Sequence, residues 1–546
     1  MKNGEWLEHL KDSIPATISG DRLSIYTIAL EAWRRGLKVS FYEFKFRKKV
    51  VVRYSISDEV KEVKFAYSTG PAVSNEARRI SSSKTKTKEY LESAGVPVPK
   101  GQKFIHKGNE EIIEYAGDNL DFPIVLKPTG GKMGRGVIAN IRDKEELKDA
   151  LIHVREKLGI SNVILEEFIP GEEYRIYVLN GEVIGAMNRL PANVVGDGVN
   201  SLRKLIRIKN AEREQIPSVR GRSIKIDSEV KRNIKNYGYN LTSVPQKGER
   251  ILLRKNSNIS TGGDPVDATD ILDEKVKEAA IKAAEAVPGL VECGVDLIVD
   301  ERDGTGKVIE LNTSVGLAGH LFPLEGKSRD IPSALMDYYF PGTKRITKDL
   351  YFDFIKVTEM LKAGNVHEII MPVLPQEEII KKSLVVTGEL GKTGFMNFVG
   401  RRARYFNLDG FIEMRRDKTA LIVLAGTAEN IRGFQEMLTT DPPRRARMDD
   451  IREGEWQGVL ETGFKVIQTV ESETVAPKQK EAVAVVDERR VQKLKKTNTA
   501  LKKINADLEK EKARLKKENE DLQSSKSWKV TRPLRWLSKK VAGRKS

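Results

Sequence analysis

The run Phe122-Pro-Ile-Val-Leu-Lys-Pro-Thr-Gly-Gly-Lys-Met-Gly-Arg-Gly-Val137 restricts this chain more than any other. An apolar strand delivers Lys127, and a glycine-rich loop follows at once. Glycines let backbone N–H groups approach phosphate oxygens closely, and Lys132 and Arg135 add charge. The loop is not a Walker A motif, because no Gly-Lys-Ser/Thr closes it. Taken alone, the run also reads as a glycine-rich hairpin with solvated lysines. Gly391-Lys392-Thr393 looks like a P-loop ending, but the glycine required five residues earlier is Val386, which excludes it.

Two further apolar runs, Gly294-Val-Asp-Leu-Ile-Val-Asp300 and Val308-Ile-Glu-Leu-Asn-Thr313, carry oxygen-bearing side chains. Glu310 and Asn312 are two apart and share one strand face. With Asp296 they offer hard oxygens of the kind Mg2+ takes, the rest of its shell being phosphate and water. A carboxylate on an apolar strand is costly to bury unless it is paired or metal-bound. The alternative is a set of solvated strand-end acids.

The length of 546 residues corresponds to three or four domains at roughly 150 residues each. A 39% hydrophobic share is enough for real cores, and 32% charged residues with a mean hydropathy of −0.43 predict a soluble protein. No stretch approaches ~20 consecutive apolar residues, and the N-terminus lacks an apolar signal-peptide core, so neither a membrane span nor secretion is expected. One cysteine, Cys293, excludes an internal disulfide framework and a cysteine-rich zinc site, and fits a reducing cytosol. The net charge of +17 is uneven: residues 489–546 hold 20 Lys/Arg against 6 Asp/Glu, which accounts for +14 of it. A basic tail on a near-neutral body predicts an appended contact patch, not a nucleic-acid-binding body.

Periodicity divides the chain further. Residues 1–80 alternate a helical run (Ser24–Arg35) with β-type runs (Leu37–Phe44, Lys49–Ile56), a small α/β domain. Strands and helices alternate over 81–342, and a charged, irregular connector is expected over 343–382. Residues 383–470 read strand, helix, strand, strand, helix, strand, a split βαβ shape. A polar linker follows at 471–488. Leucines at 494, 501, 508, 515 and 522 set a heptad over 489–523, with Val491, Asn498, Asn505, Lys512 and Asn519 at a positions. Asn at a favours in-register parallel dimers, and a solvated single helix is the alternative. Residues 524–546 carry eight basic residues and no acidic ones, with Trp528 and Trp536 among them.

Lys84, Lys127, the glycine loop, Val163-Ile-Leu-Glu-Glu-Phe-Ile-Pro-Gly171 and the Glu-x-Asn pair occur in the order seen in ATP-grasp ligases. The segments Pro191–Gly198, Ser243-Val-Pro, Leu253-Arg254, Asn258-Ile-Ser-Thr-Gly-Gly263, Thr269-Asp270 and Gly316–Gly326 sharpen the match. Residues 50–342 resemble the ATP-grasp region of cyanophycin synthetases, and are less like glutathione synthetases or D-alanine–D-alanine ligases. The resemblance implies that Lys84 and Lys127 reach the ATP phosphates from two sides, and that Gly130, Gly131, Gly134 and Gly136 form the loop over them. It implies that Glu166, Glu167, Phe168 and Ile169 are the adenine hinge and that Glu173 holds the ribose hydroxyls. It makes Asp296, Glu310 and Asn312 the ligands of Mg2+, with Mn2+ as the alternative. Arg189, Arg254, Ser260 and Gly262-Gly263 lie where the family handles the acceptor and the transferred phosphoryl. Asn193 stands where the family often has His, a departure that concerns the acceptor.

Cyanophycin synthetases continue into a Mur-ligase-like domain, whereas here Gly388–Met396 through Leu408–Met414, then Thr419–Gly426 and Phe434, resemble the acylphosphatase pattern. Met396 and Met414 occupy the places of that family's phosphate-clamping Arg and water-positioning Asn, so the fold is expected without the hydrolase. The expected fold class is an α/β and α+β multidomain chain: an ATP-grasp fold, a ferredoxin-like (acylphosphatase-like) α/β sandwich, then a coiled-coil helix. The expected function is an ATP-dependent ligase joining small-molecule carboxylate and amine substrates, in the cytoplasm or at the inner membrane face. A catalytically inactive ATP-binding scaffold is the second reading. The expected partners are a second copy through the coiled coil, and an anionic membrane surface or acidic glycan at the tail. Nucleic acid is not expected.

Overall fold

The computed structural model describes residues 4–46, 49–129, 136–364, 366–390, 394–443 and 446–467, together with Arg514. The linker, heptad and basic tail predicted over 471–546 therefore lie outside the described residues, Arg514 apart. Among the described residues no helix is long and apolar enough to cross a membrane.

The N-terminal region is built on helix Asp21–Arg34 and a four-stranded antiparallel sheet. Its strand order is Glu368–Ile370, Lys38–Phe46, Lys49–Ser57, Glu62–Phe65. The presence of Glu368–Ile370 on that edge corrects the connector expected over 343–382. Helix Phe354–Lys362 buries Phe354, Val357, Thr358 and Leu361, one face of a helix at spacings of three and four. Phe352 and Phe354 pack edge-on or tilted into a cluster with Tyr26, Trp33, Phe41 and Tyr54. Trp33 Nε1 donates to Pro372 O at 2.7 Å, and buried Arg34 Nε donates to Leu350 O at 2.7 Å. Charged residues on the solvent side disguise this apolar stripe in the sequence.

Two sheets follow. The first orders its antiparallel strands Gly101–Phe104, Val163–Glu167, Ile124–Pro128, Ile138–Ile141, packed on helices Asn109–Asn119 and Lys144–Leu151. The second is a five-stranded antiparallel sheet ordered Asp264–Asp267, Glu182–Leu190, Gly171–Leu179, Glu292–Asp300, Gly306–Asn312. One face of it buries Ile176, Val178, Ala186, Val295 and Leu297 against helix Glu274–Glu285. A small subdomain over 193–253 has its own core, from helices Leu202–Gln215 and Ser228–Asn236 and the pair Asn193–Val195 with Arg250–Leu252.

The last described region has strands Ile380–Glu389, Asp409–Met414, Ala420–Gly426 and Arg447–Glu455, with helices Phe395–Tyr405 and Ala428–Thr440, in the split βαβ order. A fifth strand, Phe464–Ile467, runs parallel to Asp409–Met414. Every residue of Ala420–Gly426 is buried. Ile422 and Leu424 face the region's own helices, whereas Leu421, Val423 and Ala425 join the core of the N-terminal region. Strand Leu350–Tyr351 pairs with Leu460–Glu461 beside that contact.

Candidate active site

Residues 167–171 carry the chain from the first of the two sheets into the second. Phe168 N donates to Pro123 O at 3.1 Å, Lys100 N donates to Glu167 Oε1 at 2.9 Å, and Ile169 is buried. Lys127 rises from the strand beside this hinge, and its Nζ meets Glu166 Oε2 at 2.6 Å. Ser83 caps helix Lys84–Ser93 by accepting from Lys86 N, which starts the helix at Lys84. Lys84 Nζ meets Glu310 Oε2 at 3.1 Å. Lys84, Lys88, Lys127, Glu166, Val308 and Ile309 line a single cavity, so both predicted phosphate lysines open on one space.

Gly130, Gly131 and Gly134 lie outside the described residues. Gly136 is described, at φ +78°, and a Cβ there would stand 2.9 Å from the Pro128 ring. Both facts demand glycine.

Asp296 and Glu310 are cross-strand partners, next to a register shift after Asp296. Asn312 Nδ2 reaches Asp296 Oδ2 at 3.3 Å, so the three predicted metal ligands gather at one end of this strand pair. Among the described residues no three His, Cys, Asp or Glu side chains gather to hold a metal. The third oxygen here is an amide, and two carboxylates with one amide oxygen fit a hard divalent ion that keeps phosphate and water as its other ligands.

Asp296 is nearly buried. Arg175 Nε and Nη2 donate to its Oδ1 and Oδ2 at 2.7 Å each, and Arg189 Nη1 lies 3.4 Å from Oδ2. Burial alone would push this carboxyl up, but the Arg175 and Arg189 guanidiniums more than offset it and hold Asp296 below the usual carboxylate range. Arg189 Nη1 also donates to Glu173 Oε1 at 2.5 Å, and Ser257 Oγ donates to Glu173 Oε2. Arg175, Lys307 (3.4 Å from Glu167 Oε1) and Ser257 are absent from the sequence-derived site. Arg175 carries one signal: it stands two residues from Glu173 and so shares its strand face.

Arg254 lies apart from these groups. It is 7% exposed, its Nη1 and Nη2 donate to Glu229 and Asp227 at 2.5 Å each, and its Nε donates to Thr261 O at 3.0 Å. Gly262 has φ +110°, and a Cβ there would fall 2.7 Å from Ile224. Asn193 is buried: its Nδ2 donates to Asp264 Oδ2 at 3.0 Å, and its Oδ1 accepts from Lys209. Asp264 also binds Lys209 Nζ and Arg213 Nη1. The departure at Asn193 thus belongs to a buried ionic cluster of the 193–253 subdomain.

Residues 96–251 match the family model of the prokaryotic glutathione synthetase ATP-grasp domain, and 252–322 match the RimK-like ATP-grasp domain. Residues 382–466 match acylphosphatase. This chain joins an ATP-grasp region to an acylphosphatase-like domain. The chain is similar to the glutathione biosynthesis bifunctional protein GshAB of Clostridium perfringens, 32% identical over 335 residues, 58% of this chain and 41% of that one. It is similar to cyanophycin synthetase of Crocosphaera subtropica, 34% identical over 263 residues, 47% and 30% of the two chains. The identities are comparable, so the expected greater distance of the glutathione enzymes does not hold. A bifunctional glutathione synthetase structure from Pasteurella multocida is 29% identical, covering 53% of this chain and 40% of that chain with a TM-score of 0.42. The chain spans about two fifths of the length of the GshAB relative it matches.

Proposed function

We propose that this chain is an ADP-forming carbon–nitrogen ligase that joins a carboxylate to an amine through an acyl phosphate. The observation that carries this reading is that Lys84 and Lys127 line one cavity and that Lys84 also bonds Glu310, the cross-strand partner of Asp296. A carboxylate is a poor electrophile toward an amine at neutral pH. In the proposed reaction a carboxylate oxygen attacks the γ-phosphorus of ATP, the bond to ADP breaks, and an acyl phosphate forms. The amine then adds to the acyl carbon, loses a proton, and expels phosphate. Phosphoryl transfer needs positioning and charge neutralisation, which the two lysines supply. The donor set fits Mg2+ or Mn2+ held by Asp296, Glu310 and Asn312, an ion that neutralises phosphate charge when bound. Arg189, 3.4 Å from Asp296 Oδ2, meets the charge developing on the acyl group in this proposal. Arg254 positions the Asn258–Gly263 turn through Thr261. Release of ADP, measured against a panel of amino acids and envelope precursors, tests the reading; no substrate-dependent ADP from any of them overturns it.

The acylphosphatase-like domain is a non-catalytic module in this proposal, because a hydrolase of acyl phosphates would defeat a ligase that makes them. The heptad over 489–523 makes a parallel dimer, and the basic segment after it holds an anionic membrane surface or acidic glycan from the cytoplasmic side. Light scattering and vesicle co-sedimentation of the full chain against a chain ending at Thr474 test both. Equal mass and equal vesicle binding for the two chains would refute them.

A further inference from the structure

Successive residues of a strand face opposite sides of its sheet. The two strands that turn Glu173, Arg175 and Arg189 toward Asp296 therefore turn Glu172, Tyr174 and Asn188 the other way. There, with Leu190, Arg250 and Ile271, these side chains line a second cavity of about 420 Å³. That volume is in the range of small-molecule sites, roughly 300–1,000 Å³.

Two charged groups in this cavity, Glu172 and Arg250, have no counter-ion among the described residues. Asn188 is 8% exposed and donates its Nδ2 to Glu172 Oε2 at 2.7 Å. A carboxylate only accepts, so this bond settles which way the amide points and turns Oδ1 away from Glu172. Asn188 Oδ1 is buried and accepts no hydrogen bond among the described residues. Glu172 takes hydroxyl and amide donors, Tyr174 at 2.6 Å and Asn188, but no cation among the described residues. Arg250 touches the amide oxygen of Asn193 at 3.4 Å and pairs with no carboxylate among the described residues. Leu190, Val266 and Ile271 supply an apolar wall, and Ile271 is 83% exposed at its edge.

We propose that this cavity binds a free α-amino acid as its zwitterion. The carboxylate goes to Arg250, the ammonium goes to Glu172, and the side chain lies along Leu190 and Ile271. An anionic ligand alone leaves Glu172 without a cation. A cationic ligand alone leaves Arg250 without an acceptor. The site is separate from the acceptor position of the ligase reading, which is on the opposite sheet face beside Asp296 and Glu310, and it does not depend on that reading.

Isothermal titration of the full chain with each standard L-amino acid, without nucleotide, tests the proposal. One amino acid binds at one per chain, and its N-acetyl and α-amide derivatives bind at least about tenfold more weakly, the scale of one lost charge-assisted bond. Arg250→Gln and Glu172→Gln each weaken binding by a similar factor, and both positions are exposed, so neither change disturbs packing. Lys127→Ala, at the nucleotide cavity, leaves this binding unchanged even where it abolishes ADP formation. Three results overturn the proposal: no amino acid binds; the N-acetyl derivative binds as well as the parent; or binding survives both cavity variants and vanishes in Lys127→Ala.

Discussion

Arg175 closes on Asp296 from the neighbouring strand with two parallel bonds of 2.7 Å, and Asp296 keeps a third contact with Arg189 at 3.4 Å. The bidentate fork sets the orientation of this carboxylate within the candidate metal site. It also makes a nearly buried ion pair, in which removing one partner is worse than removing both.

Arg175→Met should therefore destabilise the chain by up to about 3 kcal/mol, because the buried Asp296 carboxylate keeps only its longer contacts with Arg189 and Asn312. The double variant Arg175→Met/Asp296→Asn should recover most of that loss. Denaturant midpoints of the three proteins check it, and a double variant no more stable than the single one would show that packing, not charge, sets the effect.

Glu310→Ala separates chemistry from stability in the opposite sense. Its partner Lys84 and Glu310 itself are partly exposed, with side-chain exposures of 31% and 42%, so the lost pair contributes at most about 1 kcal/mol. Substrate-dependent ADP release should nonetheless fall at least ~100-fold in Glu310→Ala and in Lys127→Ala, the scale seen when one stabilising group leaves a phosphoryl- or acyl-transfer site. Undiminished turnover in both variants would sink the ligase reading.

What the sequence made legible follows the same division between local and long-range physics. Lys127, the 166–169 hinge and Glu310-x-Asn312 stand out because charged or amide side chains on apolar strands demand a reason; Lys127 and Glu166 line one cavity with Lys84, which bonds Glu310. Arg175 was hidden because its partner Asp296 is 121 residues away, and its one local signal is that it shares the strand face of Glu173. The Asp264 cluster was hidden likewise, its cations lying 55 and 51 residues distant. Segment 343–382 concealed an apolar helical face among surface charges. Strand Ala420–Gly426 did carry a signal: an unbroken apolar run, where a sheet with one solvated face would alternate. Its second face is covered by the N-terminal region, which is why the acylphosphatase-like domain is best studied within the whole chain.

In that domain Met396 and Met414 are both partly buried against its core. A thioether neither clamps an anion nor positions a water. The full chain should therefore hydrolyse benzoyl phosphate no faster than buffer does, and Met396→Arg with Met414→Asn should raise the rate above that blank. Robust hydrolysis by the native chain would mean that other residues, not these two positions, form the anion site.

Glu292 provides a pH test of the shared core. It is 2% exposed, and its Oε1 accepts from Gly70 N at 2.5 Å. Burial pushes its carboxyl up from 4.5 to about 7, against the opposing Gly70 bond, the Arg78 charge and the Tyr339 hydroxyl. Between those two values the folded chain holds a proton that the unfolded chain has released, so stability falls as pH rises through the window. Glu292→Gln keeps an oxygen for Gly70 and has no proton to lose. The variant should match the native chain below pH 4.5 and exceed it above pH 7, by roughly 3 kcal/mol at 1.36 kcal/mol per pH unit. Unfolding midpoints of both proteins from pH 4 to pH 8 decide the matter. A constant offset between the two curves, with no divergence across the window, would mean that Glu292 does not hold its proton in the folded chain.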